Sequence, residues 1–137
     1  MPRARAAAYN LGVRRSPLAL MLAAWLFAPA AAGGALDGRT YDVTLRKAGD
    51  ERTIRDRIVF AGGMLDSGAA HAWGFPAAAY SSAAEGKRIR FTARSASVTH
   101  GTMEWTGEVH RGRIEGTVDW KDEGSGTRYV MAGTIVE

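Results

Sequence analysis

The sequence predicts an all-β fold: one antiparallel up-and-down barrel, or a tightly curled sandwich, of seven or eight strands, preceded by a signal-peptide helix. Three observations carry this. After residue 36, apolar residues alternate with polar or charged ones at period two in segment after segment. Glycines punctuate those segments at turn spacing, and no stretch holds a 3.6-residue apolar period. Period two with one charged face describes antiparallel strands that are dry inside and wet outside.

The chain opens on a different pattern. Arg3, Arg5, Arg14 and Arg15 precede the apolar run of residues 18–28, and small residues follow from Pro29 to Gly33. This is the order of a secretory signal peptide, with cleavage suited to follow Ala30 or Ala32. Residues 1–32 are therefore read as leader and 33–137 as a single β-barrel-like domain, exported to the periplasm or beyond. Arg14-Arg15 leaves twin-arginine export open beside the general route. The uncharged stretch 16–36 ends in Pro29, Gly33, Gly34 and alanines, so its strongly apolar part is too short to stay in a bilayer. No stable membrane insertion is expected after cleavage.

Strands follow in order. Tyr41, Val43 and Leu45 alternate with Asp42, Thr44 and Arg46; Ile58 and Phe60 follow the same rule with Arg57 and Val59. Asp66, Ser67 and Gly68 are read as leaving a short strand through an Asx-type turn. Ala69–Ala84 is read as one long irregular connection containing Pro76. Ile89, Phe91 and Ala93 then alternate with arginines and Thr92. Met103, Trp105, Gly107 and Val109 form the next inner row, then Ile114, Gly116, Val118 and Trp120, and finally Tyr129, Met131, Gly133 and Ile135.

Turns set a register. Arg111-Gly112 is a two-residue hairpin loop, which places His110 opposite Arg113, Trp105 opposite Val118 and Gly107 opposite Gly116. A loop over Asp122–Thr127, pairing Lys121 with Arg128, would put Gly116 beside Gly133 and Val118 beside Met131. Three glycines would then share one inner row, where the sheet can bend sharply or an aromatic from the opposite wall can fill the space.

Composition excludes several classes. The chain has 18 Lys+Arg, 14 Asp+Glu and no Cys. Without the leader, basic and acidic residues balance, so the positive charge belongs to the leader and nucleic-acid binding is not expected. Lack of Cys removes disulfides, thiolate nucleophiles and Cys-type zinc sites. His71, His100 and His110 have no metal-ligand spacing and are read as surface or loop residues. No metal and no cofactor is expected.

Several segments resemble a group of small, uncharacterised exported bacterial proteins of lipocalin-like or avidin-like β-barrel architecture. They are Leu36-Asp37-Gly38-Arg39-Thr40-Tyr41, Asp56-Arg57-Ile58-Val59-Phe60, Ser67, Gly74-Phe75, Tyr80 and Ile89-Arg90-Phe91. The closest are Gly101-Thr102-Met103-Glu104-Trp105-Thr106-Gly107 and Ile114-Glu115-Gly116-Thr117 with Trp120. The resemblance implies a fold and an address and brings no reaction with it. Members often carry a Cys between the positions of Ser67 and Gly74; this chain has none there, so no thiol role transfers.

Candidate chemistry is sparse. Met64-Leu65-Asp66-Ser67-Gly68-Ala69 is similar to the active-site turn of aspartic peptidases, with Asp66 as catalytic candidate. Two such aspartates must share a proton, so one motif in this length would need a homodimer. Asp56 falls on the inward phase of its strand, where a bulge or a hydrogen bond from Tyr41 is expected to relieve it. Glu108 facing Glu115 and Glu104 facing Asp119 place four acids on one outer face, with Cβ atoms about 5 Å apart across the strands. A hard cation such as calcium held by these oxygens is one answer to the repulsion; Arg88, Arg90 and Arg94 on the neighbouring strand are the expected one.

Trp105, Trp120, Phe91 and Tyr129 share the inner face, and Trp73 with Phe75 lies in the long connection, placed to act as a lid or plug. Rings inside a small barrel serve as core or line a pocket for one apolar or planar ligand. The expected role is non-enzymatic ligand binding or envelope association by a monomer. An envelope assembly factor using an exposed sheet edge is the second reading, since Val130, Ala132 and Val136 make the outer face of the last strand apolar. A homodimeric aspartic peptidase using Asp66-Ser67-Gly68 is the third.

Overall fold

The structure is a computed structural model that describes residues 34–137; the leader, its helix and its cleavage sites lie outside them. Eight antiparallel strands close into a barrel in chain order. They are β1 (Thr40–Lys47), β2 (Thr53–Ala61), β3 (Met64–Ser67), β4 (Ala78–Glu85), β5 (Arg88–Ser97), β6 (Gly101–His110), β7 (Arg113–Asp122) and β8 (Ser125–Ile135). One five-residue helix, α1 (Gly68–Ala72), separates β3 from β4. Closure runs through seven β1–β8 pairs, Tyr41 opposite Ile135 to Lys47 opposite Tyr129. With β8 paired on both sides, the apolar face of Val130, Ala132 and Val136 is not a sheet edge.

The alternation places side chains as the sequence implies. Tyr41, Val43, Leu45, Ile58, Phe60, Phe91, Met103, Trp105, Val109, Ile114, Val118 and Met131 are all buried in one core. Arg111-Gly112 turns with both residues at positive φ, and β6–β7 pairs Trp105 with Val118 and Gly107 with Gly116.

The β7–β8 register differs from expectation by two residues. Glu123 and Gly124, both at positive φ, form a two-residue turn, so Asp122 faces Ser125 instead of opening a longer loop. Lys121 therefore pairs with Gly126, Gly116 with Met131, and Gly133 with Ile114. A shift of two preserves the inner face, so the same residues stay dry. The triple glycine row does not form, although Gly107 and Gly116 remain side by side. Phe91, directly opposite Gly107 on the adjacent strand rather than across the barrel, fills the space above it.

Ala69–Ala84 is not an irregular connection. It holds most of α1, a short loop and all but the last residue of the eight-residue strand β4, whose Ala78 and Tyr80 point inward. Alanine and serine have low strand propensity, and the segment acquires its conformation from six pairs with β5. Its other side is thinly held: β3 and β4 pair only through Met64–Ala79 and Leu65–Ala78.

The outer acids face one another as expected, Glu108 opposite Glu115 and Glu104 opposite Asp119. Arg88 reaches Glu108 at 2.7 Å and Arg128 grips Asp119 with two bonds, while Arg90 turns to Glu85 at 3.2 Å. These exposed pairs relieve repulsion and add little stability.

The Tyr41 hydroxyl is the buried side-chain polar atom without a partner among the described residues. An unmade buried hydrogen bond costs about 1–3 kcal/mol. Tyr41→Phe is therefore expected to leave the urea midpoint unchanged or to raise it; a lower midpoint would show that the hydroxyl is bonded.

Candidate functional site

The two ends of the barrel are closed differently, and three of the sequence-derived candidates, Trp73, Trp120 and Tyr129, meet at one of them. α1 crosses the end from which β6 starts. Ser67 caps its N-terminus by accepting from the Ala70 amide at 3.1 Å, which replaces the expected Asx-type turn. The Ser67 hydroxyl in turn donates to Asp56 at 2.6 Å. Asp56 also accepts from the amides of Ala69 (2.9 Å) and Arg57 (2.7 Å). Asp56 thus points inward, as strict alternation implies, and neither a bulge nor Tyr41 relieves it. Its partners are the capping Ser67, the first turn of α1 and its own strand neighbour, so that it fastens the start of α1 to β2.

Trp73 follows the last turn of α1, its amide donating to the Ala69 and Ala70 carbonyls. Its ring lies flat over two others. The Trp120 ring is 5.1 Å away at 20°, and the Tyr129 ring 5.9 Å away at 28°. Beneath them Phe75 is fully buried and meets Trp120 edge-on at 5.7 Å. The Trp120 indole N–H donates to the His100 carbonyl at 2.7 Å, which fixes that ring's orientation. Offset stacking of this kind contributes about 0.5–1.5 kcal/mol per pair beyond burial.

The five aromatic candidates therefore separate. Trp73, Trp120 and Tyr129 are half-buried and stacked at the mouth. Trp105 and Phe91 are in the closed core, 2% and 1% exposed. Trp73 thus stacks on both Trp120 and Tyr129, the two of the four inner-face rings that stand at the mouth.

Asp66 lies elsewhere, on the outer face of β3 and half-exposed, 3.3 Å from the His71 ring on α1. That pairing escapes a sequence reading, because it depends on α1 folding back beside the strand. Ser67, next in the chain, is committed to Asp56 and the helix cap. His100 is exposed and His110 half-buried. Among the described residues no three His, Asp or Glu side chains converge to hold a metal ion.

The opposite end is closed by the segment before β1. Leu36 is fully buried there, and the Tyr80 hydroxyl accepts from its amide at 3.1 Å while donating to Asp37 at 2.7 Å. Asp37 also accepts from the amides of Gly34 and Gly63. Neither residue was a candidate from sequence; the lone aromatic in an Ala/Ser-rich stretch was the signal available.

Burial and the bond to Asp37 push the Tyr80 hydroxyl up to about 12 from 10.0. The Tyr80 bond, with the Gly34 and Gly63 amides, holds Asp37 below the usual carboxylate range. The folded-state pKa of Tyr80 is raised, so its contribution to stability is complete below pH 10 and lost as pH rises toward 12. For Asp37 the contribution is present above the ordinary carboxylate pKa and lost as pH falls through the depressed one. Alkaline unfolding curves should steepen between pH 10 and 12, and Tyr80→Phe should flatten that slope. An unchanged slope would remove the clamp from the account.

No family model, curated protein or solved structure matches this chain.

Proposed function

We propose that this chain is an exported barrel that binds one small planar or apolar ligand against Trp120 and Tyr129, with Trp73 as a displaceable cover. The observation that carries the reading is the Trp73 stack itself. A half-buried indole at the C-terminal end of a five-residue helix stacks on two other half-buried rings, and a ligand that replaces it would recover that stacking energy. The leader-like order of residues 1–32 is what supports a periplasmic or secreted location. The peptidase reading has less support. Asp66 faces outward beside His71, and neighbouring Ser67 is spent on structure.

The test is a titration of purified protein with 2-naphthol and 1-anilinonaphthalene-8-sulfonate, followed by tryptophan quenching. Trp73→Ala should tighten binding by about tenfold, because the ligand no longer competes with the cover. Trp120→Ala should abolish it. No binding to either the wild type or Trp73→Ala would reject the reading. Protein recovered from the producing cell's envelope fraction should begin at Ala31 or Gly33.

A further inference from the structure

The weak β3–β4 seam leaves part of β4 without a neighbour. The last bond on that side runs from the Tyr80 amide to the Gly63 carbonyl at 3.1 Å. Successive residues of a strand aim their backbone groups to alternate sides. Ser81, Ala83 and Glu85 therefore serve β5, while Ser82 and Ala84 turn an N–H and a C=O each toward the open side. Among the described residues no strand pairs with Ser82 or Ala84 there. Natural sheets blunt such edges with proline, lysine, bulges or inward charges, and Ser81–Ala84 carries none of these.

We propose that this edge is a dimerisation surface for a second copy of the chain, with the two β4 strands antiparallel about a two-fold axis beside Ala83. The open groups form a self-complementary set. Ser82 opposite Ala84 of the partner subunit, and the reciprocal pair, would satisfy the open N–H and C=O groups of Ser82 and Ala84 on both edges. Side-chain size and charge suit that register. On the outer face Ala83 meets Ala83 of the partner subunit, the smallest contact a chiral residue allows. Glu85 comes beside Ser81 of the partner subunit, so no like charges face each other across the axis. This departs from the monomer expected on sequence, because β4 is the strand the sequence did not reveal. Two residues per edge make a small interface, so the association is weak and depends on concentration.

The test is sedimentation equilibrium on protein purified after expression of the full chain, from micromolar to millimolar, with amide exchange measured in parallel. Mass should rise toward the dimer, and the Ser82 and Ala84 amides should become protected as it does. Ala84→Pro deletes an open-side N–H and no bond to β5, and should weaken the dimer by about tenfold or more. Ala83→Lys, at an exposed outer position, sets like charges across the axis and should weaken it similarly even if the proline variant folds poorly. A monomer at every concentration overturns the proposal and leaves the edge to solvent or to a foreign strand. A dimer indifferent to both substitutions overturns it too, by placing the contact elsewhere.

Discussion

Trp105→Ala should lower the free energy of unfolding by about 3–5 kcal/mol, whereas Trp73→Ala should cost only about 1–3 kcal/mol, from its two stacking contacts. Trp105 is 2% exposed at the middle of β6, between Ala93 on one strand and Val118 on the other. Those neighbours are held by ladders on both sides and cannot collapse into the space an indole leaves. A domain of this size has about 5–15 kcal/mol of stability in total, so the variant should sit close to unfolding at room temperature. Trp73 lies at the barrel mouth, where water can take its place, and its loss removes two stacking contacts and no enclosed volume. Urea denaturation of the two variants side by side decides the matter. Equal losses would mean that Trp73 is as much core as Trp105, and the displaceable cover would be untenable.

Gly116→Ala is the second large effect, and it adds an atom instead of removing several. A Cβ at Gly116 would collide with the Thr106 carbonyl oxygen and stand 2.7 Å from the Gly107 Cα. Both are backbone atoms of β6, tied into pairs with β5 and β7. Neither can yield without breaking the ladder, so the cost should reach about 3 kcal/mol or more, and soluble yield should fall. Gly126→Ala is the control, since its nearest neighbour is the Trp120 carbonyl oxygen at an ordinary 3.9 Å. That variant should stay within about 0.5 kcal/mol of wild type. Thermal melts of the pair test the close approach of β6 and β7; equal melts would mean the strands separate there at little cost.

Much of the barrel is legible in the sequence, for reasons that are local. Alternation at period two assigns each side chain a face, whichever strand lies beside it; Tyr41, Ile58, Phe91, Trp105 and Met131 were placed inside on that basis, and all five are buried. A two-residue turn whose residues tolerate positive φ sets a hairpin register, and Arg111-Gly112 did so for β6–β7. Glu123-Gly124 sets the β7–β8 register by the same rule, but the neighbouring Gly and Ser residues make the segment resemble a longer loop in sequence. Even then the inner face survived, because the error was an even number of residues.

Tertiary structure decided what depends on residues distant in the chain. β4 is composed of residues that do not prefer strands, and only pairing with β5 makes it one. α1 is too short to carry a helical period, and it exists because Asp56, on another strand, accepts from its first turn and its capping Ser67. The five aromatic candidates were indistinguishable in sequence, since all fit an inward phase or a nearby loop. Closure of the barrel buried Trp105 and Phe91, and the fold of α1 laid Trp73 over Trp120 and Tyr129. Periodicity reports the side of a sheet on which a residue lies. Whether a ring there is enclosed or covers an opening depends on where the barrel ends, and that is a property of all eight strands together.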